Sequence, residues 1–487
     1  MLLRILLLGA LSGAWIGPAQ AQSLPPEVQT ALARAKVPLD AVSVLLVDAQ
    51  GHAAPRLNHR ASVPMNPASV MKLVTTYAAL DLLGPAYTWR TPVYLEGAVR
   101  DGVLYGNLYI QGQGDPKLVL ERLWLLLRRV QGLGIHTIAG DVVLDRSAMD
   151  LPEADPASFD GEPLRPYNAS PDALLINYKS VVMTFTPERG SATVRVQFDP
   201  PLAGVQMQSS VPLLPAQGAV VTLPPGSDCG DYRAALKADF SDPGRIRFAG
   251  GYPAACGEKV WPVAYADPKS YAARAVQGLW QAMGGKLSGQ VRLGLVPAAL
   301  LAAGQPAFEV NSAPLAEVIR DINKYSNNVM AQQLYLTLGR IAAPDAKPGP
   351  GSFAASHAVL QRWWKERMGT SEPPLLDNGS GLSRQERISA QALGRLLQTA
   401  YQSPLMPELA SSLPISGVDG TLKRVKSRAL GSAHLKTGSL NNVVAVAGYV
   451  HATSGKRYVL VAFINHPAAN AARPAIDALV EWAAADQ

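Results

Sequence analysis

Apolar and polar positions along this chain fall into three textures. Residues 41–47 form an apolar, β-branched run that ends at Asp48-Ala49-Gln50-Gly51, the pattern of a strand entering a hairpin. Residues 69–83 carry apolar side chains on most faces and contain neither Pro nor Gly, so they read as a buried helix; Pro67 stands just before it, where a proline suits a helix start. From about residue 91 to 296 the texture changes to short β-rich runs punctuated by Gly, Pro and Asp, with helical stretches near 118–131 and 270–283. Inside that region, residues 187–262 are rich in Pro, Gly, Val and Gln and read as a small β-rich unit. From residue 311 the helical period returns: 314–338 with a break at 324–327, then 352–367 and 389–400. A strand-turn-strand signal follows across 447–464, around Thr453-Ser454-Gly455-Lys456, and 472–485 reads as an amphipathic terminal helix.

This order predicts an α+β fold split by a long insert. One domain comprises residues 22–90 and 297–487, an inserted domain 91–186 and 263–296, and a second, β-rich insertion 187–262. The chain has 487 residues, too many for one ordinary core. Its hydrophobic content of 48% and charged content of 17% fit a folded protein rather than a disordered one.

The N-terminus changes the picture of where the chain works. Arg4, a short apolar stretch over 5–16 and Ala19-Gln20-Ala21 form a secretory signal with cleavage after Ala21; the apolar run is short for a membrane anchor. Cys229 and Cys256 are the only cysteines, and an even count in an exported chain suggests one disulfide, with two free thiols as the alternative. Two cysteines with no His at ligand spacing do not make a zinc site. The formal charge of +7 is scattered, without a long basic run, which argues against nucleic acid. It suits loose attraction to an anionic envelope or wall polymer, and equally suits solubility alone.

The candidate chemistry lies in three short motifs. Ser69-Val70-Met71-Lys72 is the only Ser-x-x-Lys in the chain, and on a helix residues three apart share a face. A serine is a weak nucleophile until a base takes its proton, and a lysine serves when burial and nearby positive charge lower its pKa. Ser326-Asn327-Asn328 falls in the break between two helical stretches, where a hydroxyl can pass a proton and an amide can hold a carbonyl. Lys436-Thr437-Gly438 precedes an apolar run that reads as a strand; an edge strand offers N–H groups and a cation beside a reaction centre, and Gly438 lets a substrate backbone approach. Each motif alone is weak. Ser-x-x-Lys, Ser-x-Asn and Lys-Thr-Gly in this order, on helix, interhelix loop and strand, are the ordered set of the penicillin-recognising serine enzymes.

With these motifs, and with Ile322–Ala331, Asp377–Arg384, Ser416–Leu422 and Leu435–Gly438 beside them, the sequence resembles the D-alanyl-D-alanine carboxypeptidase/endopeptidases, the low-molecular-mass class C penicillin-binding proteins. The resemblance extends over essentially the whole mature chain and implies a β-lactamase/transpeptidase-like domain, an antiparallel sheet flanked by helices. One stretch departs somewhat: Gln111-Gly112-Gln113-Gly114-Asp115-Pro116 stands where the family has a glycine-richer turn. The resemblance implies Ser69 as nucleophile, Lys72 as base, and Ser326 with Lys436 as the proton relay to the leaving amine. It implies the N–H groups of Ser69 and Ser439 as oxyanion hole, Thr437 and Ser439 as carboxylate holders, and Asn328 as a holder of the acyl part, with Gly438 beside them. Peptidoglycan stem peptides and β-lactams are the implied partners, with no metal or other cofactor needed, in the periplasm, with membrane association loose at most and a homo-oligomer left open. Asp377, Asn378 and Ser380 form a polar turn that either shapes the cleft or is held by Asx bonds alone, and Asp160 is either a sensor of an amine-bearing substrate or a solvated loop carboxylate. Two alternatives stand beside this reading: a serine β-lactamase, for which no extra Glu stands at a recognisable position, and a non-catalytic wall-binding scaffold.

Overall fold

The computed structural model describes residues 23–214, 229–341 and 349–486. The expected signal segment, 1–21, lies outside them. The central sheet has five antiparallel strands in the order Leu57–His59, Val42–Asp48, Arg457–Asn465, Val443–His451, Ala433–Leu440. Val44 pairs with Ala462, Val446 with Ala462 and Lys436 with Ala447. The inner strands are buried almost end to end because helices cover both faces, which is why they read as continuous apolar runs rather than alternating ones. Pro26–Arg34 and Arg473–Ala485 pack on one face. Lys72–Leu83, Leu315–Tyr325, Asn328–Ile341, Phe353–Met368 and Ala390–Tyr401 form the other layer, around Trp89, Trp363 and Trp364.

Helix starts follow local chemistry. Ser352 and Ser389 accept from the N–H groups of Ala355 and Ala392 at 3.2 and 3.0 Å, capping the helices that follow. The helix Pro26–Arg34 carries no strong signal in the sequence; its apolar face shows its meaning only against the terminal helix.

The insert leaves and returns at one place, where Trp89 and Ser312 bond each other's backbone and side chain. Its first sheet runs Val291–Leu293, Val142–Asp145, Leu108–Gln111, Arg90–Leu95, Phe308–Asn311. The last strand lies beyond residue 297, so the insert's sheet reaches further than the expected junction; four residues carry too little pattern to be assigned from sequence. A second five-stranded sheet runs Tyr252–Pro253, Ser210–Leu214, Thr193–Asp199, Ser180–Pro187, Lys259–Ala264, beside a three-stranded one of Gln206–Met207, Arg245–Phe248 and Ala238–Asp239; of the small β-rich unit expected at 187–262, residues 215–228 lie outside the described residues. One apolar core runs through both inserted stretches, from Val93 through Leu123, Phe185 and Trp280 to Phe308. Phe185 stacks on Tyr252 with centroids 5.5 Å apart. Cys229 and Cys256 are joined as a disulfide beside this core. Among the described residues no helix is long and apolar enough to cross a membrane.

Candidate active site

Ser69 does not begin an α-helix, as the periodicity suggested. It sits in a 3₁₀ turn, Ala68–Met71, and the α-helix starts at Lys72. The difference favours the chemistry: in a 3₁₀ turn side chains three apart eclipse, so Ser69 and Lys72 are brought closer to one line. The turn is held from three sides. Ala68 adopts a left-handed φ of 47°, its N–H donates to Asn66 Oδ1 at 2.8 Å, and Asn465 exchanges bonds with the Asn66 backbone. Gly381 and Gly438 both press against it. A Cβ on Gly381 would lie 2.0 Å from the Ala68 carbonyl oxygen, and one on Gly438 would lie 2.6 Å from that of Pro67. The protein's own nucleophile turn therefore already requires glycine at 438, a reason that the sequence did not show.

Lys72 is wholly buried. Its Nζ donates to Ser69 Oγ at 2.9 Å, to Asn328 Oδ1 at 2.7 Å and to the Ser380 carbonyl. Burial drives its pKa well below the usual lysine value, and the neighbouring Lys436 charge drives it further, against the pull of Glu386. Ser69 is only partly buried, so the hydroxyl meets the cleft while the amine stays behind it.

Ser326 ends the helix Leu315–Tyr325 in a left-handed conformation, φ 57° and ψ 38°. That cap turns its hydroxyl to Lys436 Nζ, 2.9 Å away. The neighbouring Lys324 is tied to Asp419 at 2.6 Å, which pins the end of this helix to the 415–422 segment. Asn327 Oδ1 accepts from Met330 N–H and starts the next helix, which places Asn328 against Lys72. Asn328 is thus engaged at both ends, since its Nδ2 donates to the Tyr167 carbonyl of the insert at 3.1 Å.

Lys436 lies on the edge strand of the central sheet, fully buried, and burial pushes its pKa down to about 7. It also donates to its neighbour's carbonyl, Thr437 O, at 2.7 Å. Leu435 N–H points outward from the sheet, to Pro414 O at 2.9 Å. With the two-residue period of an antiparallel strand, the N–H groups of Thr437 and Ser439 face the same open edge. Thr437 shares a hydroxyl hydrogen bond of 2.7 Å with Thr421, and exposed Ser439 accepts from Arg473 at 2.7 Å. Ser69, Lys72, Asn328, Ser326, Lys436, Thr437, Gly438 and Ser439 therefore converge on one cleft.

Sequence reasoning missed Arg473, Thr421 and Tyr167 as neighbours of this cleft. Thr421 lay in a stretch that carried the resemblance; Arg473 and Tyr167 had no local signal. The turn Asp377–Ser380 does reach the centre, through the Ser380 carbonyl on Lys72. Asp160 is turned to its own loop: it accepts from Tyr167 Oη at 2.8 Å and from Asn168 Nδ2 at 2.7 Å. That loop carries the Tyr167 carbonyl onto Asn328, so Asp160 braces the insert against the cleft.

The D-Ala-D-Ala carboxypeptidase 3 (S13) family matches residues 26–486. A D-alanyl-D-alanine carboxypeptidase of Actinomadura sp. (strain R39) is 28% identical over 398 residues, 80% of this chain and 71% of its own. The crystal structure of penicillin-binding protein 4 (dacB) of Haemophilus influenzae superposes with a TM-score of 0.70 at 22% identity, covering 93% of this chain and 99% of that one. The same protein complexed with a β-lactam gives a TM-score of 0.66 with the same coverage. The α+β architecture described above is that of this penicillin-binding protein.

Proposed function

Because the chain belongs to the D-Ala-D-Ala carboxypeptidase 3 (S13) family of serine hydrolases, we propose that it opens D-Ala-D-Ala and related D-amino acid peptide bonds of peptidoglycan stem peptides through an acyl-enzyme on Ser69. The observation that carries this reading is the 2.9 Å contact between Ser69 Oγ and a buried Lys72 whose other hydrogen bonds go to the Asn328 amide oxygen and the Ser380 carbonyl.

In the first step Ser69 Oγ attacks the carbonyl carbon of the penultimate D-Ala and passes its proton to neutral Lys72. The tetrahedral oxyanion forms between the N–H groups of Ser69 and Ser439; losing one such donor costs about 3 kcal/mol of transition-state stabilisation. The C–N bond then breaks, and the leaving nitrogen takes a proton through the Ser326 hydroxyl, which Lys436 resupplies. In the second step water gives a proton back through Ser326 to Lys436 as it adds to the ester carbon, the Oγ–C bond breaks, and Ser69 recovers its proton from Lys72, so both lysines end as they began. The substrate carboxylate rests on Thr437 and Ser439, with the Arg473 guanidinium on the Ser439 hydroxyl supplying positive charge.

A β-lactam places its amide carbonyl in the same position. Its C–N bond also breaks, but the leaving nitrogen stays tethered, so the acyl-enzyme persists. The β-lactam complex of the H. influenzae relative supports this extension. A stem-peptide substrate and the leader-like N-terminus both support an exported enzyme that works in the periplasm.

The test is labelling with a fluorescent penicillin, followed by incubation with purified cross-linked muropeptides resolved by mass. Stable label that is lost in Ser69→Ala, with release of D-Ala or of split dimers, is the expected result. Rapid penicillin turnover would turn the reading to a β-lactamase, and absence of both label and cleavage would turn it to a wall-binding scaffold.

A further inference from the structure

Glu386 is a wholly buried carboxylate that the reaction above does not use. One of its oxygens, Oε1, accepts from three consecutive backbone N–H groups, those of Asp377, Asn378 and Gly379, each at 3.1 Å. The other, Oε2, is buried without a hydrogen-bond partner among the described residues. Three amides converging on one oxygen form an anion nest, and they belong to the turn that continues into Ser380. Gly379 O accepts from Thr75 of the nucleophile helix at 2.6 Å, and the Ser380 carbonyl accepts from Lys72 Nζ. The carboxylate thus stands one turn behind the amine, linked to it through backbone and within electrostatic reach of it.

We propose that Glu386 is a positioning residue for Lys72: it anchors the turn whose Ser380 carbonyl receives the amine, and it places a buried carboxylate within range of that amine's charge. The proposal rests on the functional reading of Lys72 given above and adds a residue to it. The anchoring is geometric. Without the Oε1 acceptor, three buried amides lose their partner and the Ser380 carbonyl is free to turn away.

The charge acts in the opposite sense to Lys436. Lys72 is faced by Lys436 from the edge strand, which favours loss of its proton, and by Glu386 from the turn, which favours keeping it. Glu386 is itself faced by Asp377 on the turn and lies near Tyr335 of the helix Asn328–Ile341. Burial, opposed by the three N–H groups and aided by Asp377, raises its pKa to about 7. The carboxyl therefore gains and loses charge in the range where the centre works. Its occupied oxygen and its place behind the turn also separate it from a water-activating glutamate, which would have to face the ester.

Glu386→Gln separates the two roles, because the amide oxygen can still take the N–H groups while the negative charge is gone. Glu386→Ala removes both. The proton on Lys72 is followed by ¹³C NMR of lysine-labelled protein, with the signal assigned by Lys72→Met, and acylation by a fluorescent penicillin is timed across pH. In Glu386→Gln the Lys72 titration and the acid limb of acylation should both move down by about one pH unit. In Glu386→Ala acylation should slow on the order of tenfold to a hundredfold. A Lys72 titration in Glu386→Gln that superimposes on that of the native protein overturns the proposal, whatever the acylation rates. If the native protein takes no penicillin at Ser69, the functional reading fails, and the NMR comparison still decides the part played by Glu386.

Discussion

The cleft and the root of the insert both bury lysines, and they treat them in opposite ways. In the cleft, Lys72 and Lys436 meet hydroxyls, carbonyls and an amide, with no carboxylate in contact among the described residues. At the root of the insert, Lys179 is almost as deeply buried but lies 3.1 Å from Asp172, which Arg146 also contacts. Burial pushes all three lysines toward the neutral form; Lys72 is pulled back only by the charge of Glu386, which it does not touch, whereas Lys179 is pulled back by a carboxylate in direct contact. A buried lysine with a carboxylate is a structural cation. One with only neutral partners can give up its proton and take another's, which is what a nucleophilic serine needs.

The largest expected effect breaks the cleft side of this contrast. Lys72→Met should slow penicillin acylation by on the order of 10³-fold. Thermal unfolding of the same variant should show only a small change in stability, since relief from burying an amine offsets the loss of its hydrogen bonds to Asn328 and the Ser380 carbonyl. A variant that labels at the native rate would place the base elsewhere.

The insert side should respond the other way. Asp172→Asn leaves Lys179 and Arg146 without their shared counter-charge and should cost about 3 kcal/mol in urea unfolding. Its acylation rate should remain native when measured below the transition. A stable variant would mean that Asp172 is not what keeps Lys179 charged.

The pH dependence of stability sharpens the comparison. Lys436 titrates near 7 in the folded protein and near 10.5 as an unperturbed lysine. Between those values the unfolded chain binds more protons, so the contribution of this lysine is fully present above about 10.5 and is lost as pH falls toward 7. The stability of native protein relative to Lys436→Met should therefore rise with pH across that window, by urea unfolding at several pH values. A flat difference would mean that Lys436 stays protonated in the fold.

The smallest effect concerns the rim. Arg473→Ala should raise KM for a carboxylate-bearing D-Ala-D-Ala peptide about tenfold, the worth of one charged hydrogen bond, with kcat nearly unchanged. Arg473→Lys should recover part of the loss. An equal effect on the amide-capped peptide would show that Arg473 does not sense the carboxylate.

What the sequence by itself determined is local: the period of the helices that follow Ser69 and flank Ser326, the apolar runs of the inner strands, the order of the three motifs and a helix break before Asn328, which is narrower than the expected 324–327 because the first helix runs on to Tyr325. These were legible because side-chain spacing and turn chemistry act within a few residues. The 3₁₀ form of the nucleophile turn, the close approach of Gly438 to that turn, the strand Phe308–Asn311 and the single core shared by both inserted stretches were decided only by tertiary structure. So were the contacts of Glu386 with the 377–379 amides, of Arg473 with Ser439 and of Tyr167 with Asn328, which join elements far apart in the chain. The reason is physical. A lysine's charge state depends on what surrounds it in three dimensions, and the residues that bury Lys72 and Lys436, or hold a carboxylate off at a distance, come from every part of the fold.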